Sequence, residues 1–324
     1  MPEHLEKLDD KPIDTGIGEV LCFAGIRNEI DRFPRFLEHY RSIGVNRFFI
    51  LDNGSNDGTR DYVISQPDCH CFHTEGSHFA KNVEPPNWVN TLLRVHGIDH
   101  WCISVDGDEL FVYPDYETIR VSQLCKFLDE TGVDALSAAM IDMYGNGPIA
   151  QARYHTDKSF LEQNPYFDRT PGWLRPNDGG YPPIQMFGGV RERTFWRSKH
   201  RLKYPPCITK VPLVKWKRGT QYKIAQHVIT PVILSDLHAG LLHFKFLTGF
   251  VSKTRSSVEE NEKVQERGLN ERAVYMAVLK ENPSLSFMSD LSIKYTGSAQ
   301  LTKLGWMRSS VQYKRFVDSC QLTQ

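Results

Sequence analysis

The chain has no charge surplus. Its 324 residues carry 39 Lys and Arg against 39 Asp and Glu, a formal net charge of zero. That removes the broad positive field on which general nucleic-acid binding depends. No nucleic-acid partner is therefore expected, and any charge-based function has to come from local clusters. Long apolar runs are absent too: nothing reaches the roughly 18 residues that a membrane-spanning helix needs. The opening stretch MPEHLEKLDDKPIDTG has no apolar core of a signal peptide. The seven cysteines are odd in number and follow no framework spacing, so reduced thiols in a cytosolic setting are expected. Internal repeats and low-complexity segments are missing, and the composition specifies no oligomeric state. What is there is 40% hydrophobic and 24% charged, the balance of a packed globular protein. The length suits one large domain with an appendage, or two modest domains.

The stretch that organises the chain is Trp101–Pro114, WCISVDGDELFVYP. A short apolar strand, Trp101 to Val105, runs straight into Asp106, Gly107, Asp108 and Glu109, and an apolar aromatic run follows until Pro114 ends it. Two carboxylates about 6 Å apart at an effective dielectric near 20 repel by roughly 3 kcal/mol. That is a large part of a typical net stability of about 5–15 kcal/mol. Water, a basic side chain or a divalent cation has to offset it, and a cation with an anionic ligand beside it is the expectation. The blander reading is an acidic turn facing solvent.

Taken in order, the pattern alternates. Residues 1–18 read as an arm, Glu19–Ala24 as a buried strand, and Phe33, Phe36, Leu37, Tyr40 and Ile43 as the inner stripe of a helix with Pro34 in its first turn. Asn46–Leu51 is a second strand, NGSNDGT a turn, and a short helix runs to Ser65 before a strand near Cys69–His73. Pro85-Pro86 opens a helix, Trp101–Val105 is the next strand, Val121–Glu130 a helix, and Ala135–Ile141 a strand ending at Asp142. Strand and helix in alternation predict an α/β fold: a Rossmann-like, mostly parallel sheet with helices on both faces. Beyond Tyr144 the pattern loosens into loops rich in Gly, Pro, Arg and aromatics. Gly188–Phe195 reads as a turn entering an edge strand, Val211–Trp216 as a strand, and Phe250–Glu266 as polar and helical in character. Leu269, Val274, Ala277 and Val278 mark a helix ended at Pro283. The expected division is an arm over 1–18, a catalytic domain over 19–250 and a mainly helical extension over 251–324.

Ligands of such sheets bind outside the carboxyl ends of the strands. Arg27-Asn28-Glu29, Asp52, Asp106–Glu109 and Asp142 all fall at that edge. Asp106-Gly107-Asp108 is an acid-x-acid pattern suited to a hard divalent ion, and its glycine lets a ligand approach the backbone. Arg27 suits phosphate or carboxylate, and Asn28, Glu29 and Asp52 suit a ribose or base edge. Helix capping and an Asx turn are the plain alternatives. His243, in LLHFKF, is on spacing alone a satisfied core histidine more often than a ligand. Cys69, Cys71 and His73 alternate along a strand and match no zinc-finger spacing. Asp57-Gly58-Thr59 is a poor phosphatase motif, because Ser55 stands where a second acid belongs.

Together GIRNE, LDNGSNDGT, WVNTLLRVHGIDHWCISVDGDELFVYP, GGVRERTF and LLHFKF resemble the family 2 type of glycosyltransferase with the GT-A fold, in a bacterial subgroup, over about residues 19–250. The resemblance implies a nucleotide-sugar donor of UDP type, Mn²⁺ or Mg²⁺, and transfer of the sugar to a saccharide or lipid-linked acceptor, with inversion. By motif, Asp106 and Asp108 would meet the metal and, with Gly107, the donor. Asp52 would sit near the base or ribose, Arg27, Asn28 and Glu29 would line the nucleotide site, and His243 would be a third metal ligand or diphosphate contact. Many relatives carry a Glu-Asp pair whose Asp is the general base. This chain has no such dipeptide, so Asp142 is the first candidate, followed by Asp168 and Glu192. The alternatives are nucleotidyl or phosphoryl transfer with the same metal–phosphate geometry, or a non-catalytic scaffold of the same fold. The basic end, with Lys303, Arg308, Lys314 and Arg315 near Trp306 and Phe316, offers peripheral contact with an anionic membrane from the cytosolic side; ordinary surface packing is the plainer reading.

Overall fold

The computed structural model describes residues 5–74, 87–247, 250, 254 and 269–322. The stretch read as polar and helical after Phe250, and the boundary placed at 250/251, fall almost wholly outside those residues.

Nine strands hydrogen-bond into one sheet in the spatial order Glu6–Lys7, Cys69–His73, Arg47–Asp52, Val20–Ile26, Trp101–Asp106, Thr209–Lys215, Ala135–Asp142, Ala239–His243 and Glu109–Val112. Six of them run the same way, while Glu6–Lys7, Thr209–Lys215 and Glu109–Val112 oppose them. The α/β class stands, with helices on both faces and a helical C-terminal part. Alternation along each strand explains the layering. Val20, Cys22, Ala24, Phe48, Ile50, Ile103 and Val105 face one core. Leu21, Phe23, Phe49, Leu51 and Cys102 face the other. A sheet buried on both sides needs such near-continuous apolar strands.

The first core is closed by the helices Phe33–Ser42 and Val121–Glu130. Leu301, Trp306, Tyr313 and Val317, from the C-terminal helices Ser298–Leu304 and Val311–Gln321 and the turn between them, complete it. Trp306 is buried, with its indole N–H on the Asp168 carbonyl at 3.1 Å, and Phe316 packs on Phe127 with ring centroids 5.4 Å apart. The aromatic residues of the basic tail therefore belong to the protein's own packing. On the other face lie Leu92 and Leu93 of the helix Asn87–His96, with Trp216, Tyr222 and Ile229.

Two features depart from the expected pattern. The strand expected over Val211–Trp216 is observed at Thr209–Lys215, and it lies in the middle of the sheet, antiparallel to both neighbours. It contains Pro212, which has no N–H for the ladder. The register slips by one residue between Lys210 and Leu213, the bulge at which a central proline is tolerated. The second departure is a correction. Gly188–Phe195 does not enter an edge strand; Glu192–Trp196 is a turn of π-helix. Gly188 and Gly189, at φ of +141° and +75°, reverse the chain, and Arg191 and Arg193 then reach buried carboxylates, which a flat edge strand would not allow.

Three half-buried histidines are held below the usual imidazole range. His39 bonds the Phe111 carbonyl at 2.8 Å and burial lowers it to about 4. His227 bonds the Thr209 carbonyl at 2.6 Å, and burial with the Lys210 charge lowers it to about 3. His238 bonds Ser137 Oγ at 2.9 Å, and burial with Arg308 lowers it to about 4. An unfolded histidine titrates near 6.5, so between about pH 6.5 and 4 the unfolded chain binds more protons than the folded one. Stability should be level above that window and fall as the pH drops through it. Melting temperatures across the same range check this; a flat profile contradicts it.

Candidate active site at the carboxyl edge of the sheet

The strand Trp101–Asp106 delivers the acidic run to the sheet edge, and Glu109 already begins the next strand. Gly107 is tightly packed: a Cβ there would come within 3.2 Å of Ile26 Cγ2 and 3.8 Å of Glu29 Cγ. The space beside it is thus taken up by the first strand and the loop after it.

The counter-charge is a lysine. Lys210, only 3% exposed, donates to Asp106 Oδ2 at 2.8 Å and to Glu109 Oε1 at 2.5 Å. Glu109 Oε2 in turn accepts the Asp106 backbone N–H at 3.1 Å. Burial works against charge on both acids. Lys210 prevails at Asp106, which is 56% exposed and held below the usual carboxylate range. Glu109 lies deeper, and burial with the Asp106 charge beside it pushes it up. The two acids in turn hold the lysine above its ordinary value despite burial.

Asp108 faces another way. His243 Nε2 lies 3.7 Å from its Oδ2, and His243 Nδ1 lies 2.7 Å from Asp142 Oδ1. Sheet register produces this line, because His243 stands opposite Asp142 on one side and Glu109 on the other. Burial opposes the Asp108 charge, but His243, Arg32 and Lys245 hold its pKa at about 2. With the proton on Nδ1, His243 donates to Asp142 and turns the Nε2 lone pair towards Asp108.

Asp142 has little left to give. Its Oδ1 holds His243, and its Oδ2 accepts Arg191 Nε at 2.8 Å. Burial opposes its charge, yet Arg191 and His243 hold it at about 2. A general base works best with a pKa near the operating pH and a free oxygen for the acceptor proton; both Asp142 oxygens are engaged here, and its pKa is held low. The other two base candidates are also in ion pairs. Asp168 receives Arg193 at 2.8 and 2.9 Å and the Tyr144 hydroxyl at 2.6 Å, and Glu192 Oε1 receives Arg197 at 3.1 and 2.7 Å.

The residues expected on the nucleotide side form a second group. Asp52 is fully buried; it accepts the Ser55 backbone N–H at 3.1 Å and Arg60 Nε at 2.8 Å. Asn28, at φ +55°, donates its backbone N–H to Ser55 Oγ at 2.9 Å and accepts the Asn56 backbone N–H at 2.9 Å. Asx-type capping therefore engages Asp52 and Asn28 in the turn they flank. Glu29 pairs with Arg32, Nη2 to Oε1 at 2.6 Å, and Arg27 is exposed at the rim.

Sequence reasoning assigns no role to five further residues of the site, although Arg191 and Lys245 lie inside GGVRERTF and LLHFKF. Lys210 sits as a lone cation in the apolar run ITKVPLV, which is the signal that finds it. Arg191 reaches Asp142, and Glu271 of the helix Leu269–Glu281 lies 3.8 Å from Arg191 and 3.2 Å from Lys245. Arg32 completes the set. Among the described residues no three His, Cys, Asp or Glu side chains gather closely enough to cage an ion unaided. Asp106, Asp108 and His243 are still donors of the right kind, since Mg²⁺ and Mn²⁺ commonly take one or two carboxylates and fill the rest of the shell from phosphate and water.

No protein-family model matches this chain, and no curated protein matches it. Among solved structures, the crystal structure of UDP-glucose pyrophosphorylase complexed with UDP-glucose aligns with 94% of this chain and 100% of its own, at 9% identity and a TM-score of 0.27. A likeness that slight carries no functional argument.

Lys210→Met should cost about 3–5 kcal/mol, because it strands Glu109 as an unpaired buried acid. Adding Glu109→Gln should recover much of the loss. Urea denaturation of the single and double variants measures both; equal stability of Lys210→Met and wild type contradicts the pairing.

Proposed function

We propose that the chain is a metal-dependent glycosyltransferase that moves a sugar from a nucleotide-diphosphate donor to a hydroxyl of a saccharide or lipid-linked acceptor. The observation that carries this reading is the line Asp108–His243–Asp142 at the carboxyl edge of the sheet. A carboxylate and an imidazole nitrogen face each other there, and a second carboxylate fixes the imidazole from behind, the arrangement typical of a histidine that ligates a metal. The charge count agrees. Asp106, Asp108, Glu109, Asp142, Glu271 and Glu29 meet Lys210, Arg191, Lys245 and Arg32. Counted without His243, two formal negative charges remain, which a divalent cation matches.

In this reading Asp108 and His243 hold the ion, with Asp106 joining through its exposed side. Bound there, Mn²⁺ or Mg²⁺ would supply the Lewis acidity that a departing nucleoside diphosphate needs. Arg32 and Lys245, which already act electrostatically on Asp108, would steady the diphosphate oxygens. Arg27, Asn28, Glu29 and Asp52, with the turn after Asp52, would receive the nucleoside, and Gly107 would keep the backbone low beneath the donor. Asp142 would act as the group that orients His243, with Arg191 holding it in place.

The test is product analysis with nucleotide sugars and Mn²⁺. Release of nucleoside diphosphate is expected. Release of pyrophosphate would instead assign nucleotidyl transfer, and no calorimetric binding of any nucleoside diphosphate would leave only a scaffold. Asp108→Ala should abolish turnover. Asp142→Asn should weaken Mn²⁺ binding about 10–100-fold while the fold persists by circular dichroism. An Asp142→Asn variant with unchanged Mn²⁺ affinity would remove the orienting role.

A further inference from the structure

The strands Trp173–Pro176 and Ile184–Phe187 pair as a hairpin just before the Gly188–Gly189 turn, and the second of them is bonded to the body through Met186. Its outer strand is exposed along its whole length. Antiparallel register puts Leu174, Pro176, Ile184 and Met186 on one face, and Trp173, Arg175, Gln185 and Phe187 on the other. Leu174 is 64% exposed, Ile184 55% and Trp173 40%, the last stacked on Phe187 with centroids 5.0 Å apart. The loop before Cys207 lies alongside, tied to the hairpin by the Phe187–Cys207 bridge and by Gly188 N–H to the Pro206 carbonyl at 3.4 Å. It adds Tyr204, 69% exposed, with Lys203 over its ring, and the exposed Arg201.

Charge gathers here on a chain whose formal net charge is zero. Residues 171–205 hold seven Lys and Arg against two Asp and Glu. Arg191, Arg193, Arg197 and Lys199 are spent on Asp142, Asp168, Glu192 and Glu281. Arg175, Arg201 and Lys203 form no ion pair among the described residues, and Asp178 is the one acid left in the segment. Exposed aliphatic side chains, an aromatic with a polar edge and a rim of cations are what an interfacial lipid contact requires.

We propose that this hairpin docks the protein on an anionic membrane surface, with Leu174 and Ile184 entering the headgroup–acyl boundary and Arg175, Arg201 and Lys203 meeting lipid phosphates. A soluble polyanionic saccharide would use the cations and would gain little from two exposed aliphatic side chains, which cannot hydrogen-bond a sugar. The hairpin also leads into the candidate site. Met186 N–H bonds Thr209 Oγ1, next to Lys210, at 2.6 Å, and a Cβ on Gly189 would lie 3.6 Å from Asp142 Oδ2. Docking therefore sets the carboxyl edge of the sheet beside the lipid surface. If the sugar-transfer reading holds, that favours a lipid-linked acceptor; the docking itself does not depend on that reading.

Co-sedimentation with vesicles tests it, independently of any turnover. The full chain should pellet with phosphatidylcholine vesicles containing about a third phosphatidylglycerol, and far less with pure phosphatidylcholine. Binding should drop at roughly 1 M salt, where the screening length is about 3 Å. Leu174→Ser/Ile184→Ser should lose binding. Arg175→Ala/Lys203→Ala should weaken it about 25-fold, near fivefold per charge. All four positions are exposed, so melting curves of both variants should match wild type. A chain that stays in the supernatant with both vesicle types overturns the proposal, as do variants that bind like wild type. So does tight binding to dextran sulfate that is unaffected by Leu174→Ser/Ile184→Ser and matched by no vesicle binding.

Discussion

The structure depends on where Lys210 sits. Three carboxylates arrive within four residues at the end of a buried strand, and the innermost, Glu109, is closed off from water. An acid in that position needs a partner from within the fold. The ammonium reaches both Glu109 and Asp106 from a strand distant in sequence. Buried ion pairs often add little net stability, yet removing one partner is costly, so their stronger effect is on which arrangement is allowed. Here that arrangement is an antiparallel strand in the middle of a mostly parallel sheet, with a bulge that accommodates Pro212 three residues before Lys215.

The rest of the site follows from register. With Thr209–Lys215 seated beside Trp101–Asp106, Ala135–Asp142 pairs on its far side and Ala239–His243 next to that. His243 then falls level with both Asp142 and Glu109. The Asp108 carbonyl accepts the Phe244 N–H at 2.8 Å, and the His243 carbonyl accepts the Met143 N–H at 2.9 Å, which locks the level on both sides. Side chains alternate with a period of two, so a slip of one residue in Ala239–His243 would turn the imidazole to the other face of the sheet. The line Asp108–His243–Asp142 is therefore a product of sheet pairing more than of any local motif.

That division explains what the sequence reveals. Elements governed by local signals are legible: the helix Val121–Glu130 and the strand Cys69–His73 are found with their observed bounds. The strand-end acids are legible because alternation of strand and helix predicts the edge on which they lie. Non-local pairing is not legible. ITKVPLV is recognisable as a strand, but nothing in it says that it crosses the centre of the sheet, and so Lys210 goes unnoticed while a cation is sought for the same charges. GGVRERTF reads as a turn entering an edge strand. The ion pairs of Arg191 and Arg193 with Asp142 and Asp168, together with two glycines at positive φ, override that pattern. Asp142 is found as a strand-end acid, but its commitment to two partners appears only once those partners are placed.

The acids consequently separate into two kinds. Glu109 and the inner oxygen of Asp106 are saturated by Lys210 and serve the fold. Asp108 and His243 face one another at 3.7 Å, too far for a strong hydrogen bond and outside the lysine's direct contacts, and that is the side the proposed cation would occupy. Asp142 belongs with the first kind in its bonding and with the second in its effect, because it sets which nitrogen of His243 faces outward. Its other oxygen is tied to Arg191, two residues beyond the Gly188–Gly189 turn on which the exposed hairpin is mounted. The chain between Phe187 and Arg191 is short and sharply bent, and Arg191 is buried. The exposed hairpin is therefore joined, through one short bent segment, to the arginine that holds the carboxylate bonded to His243.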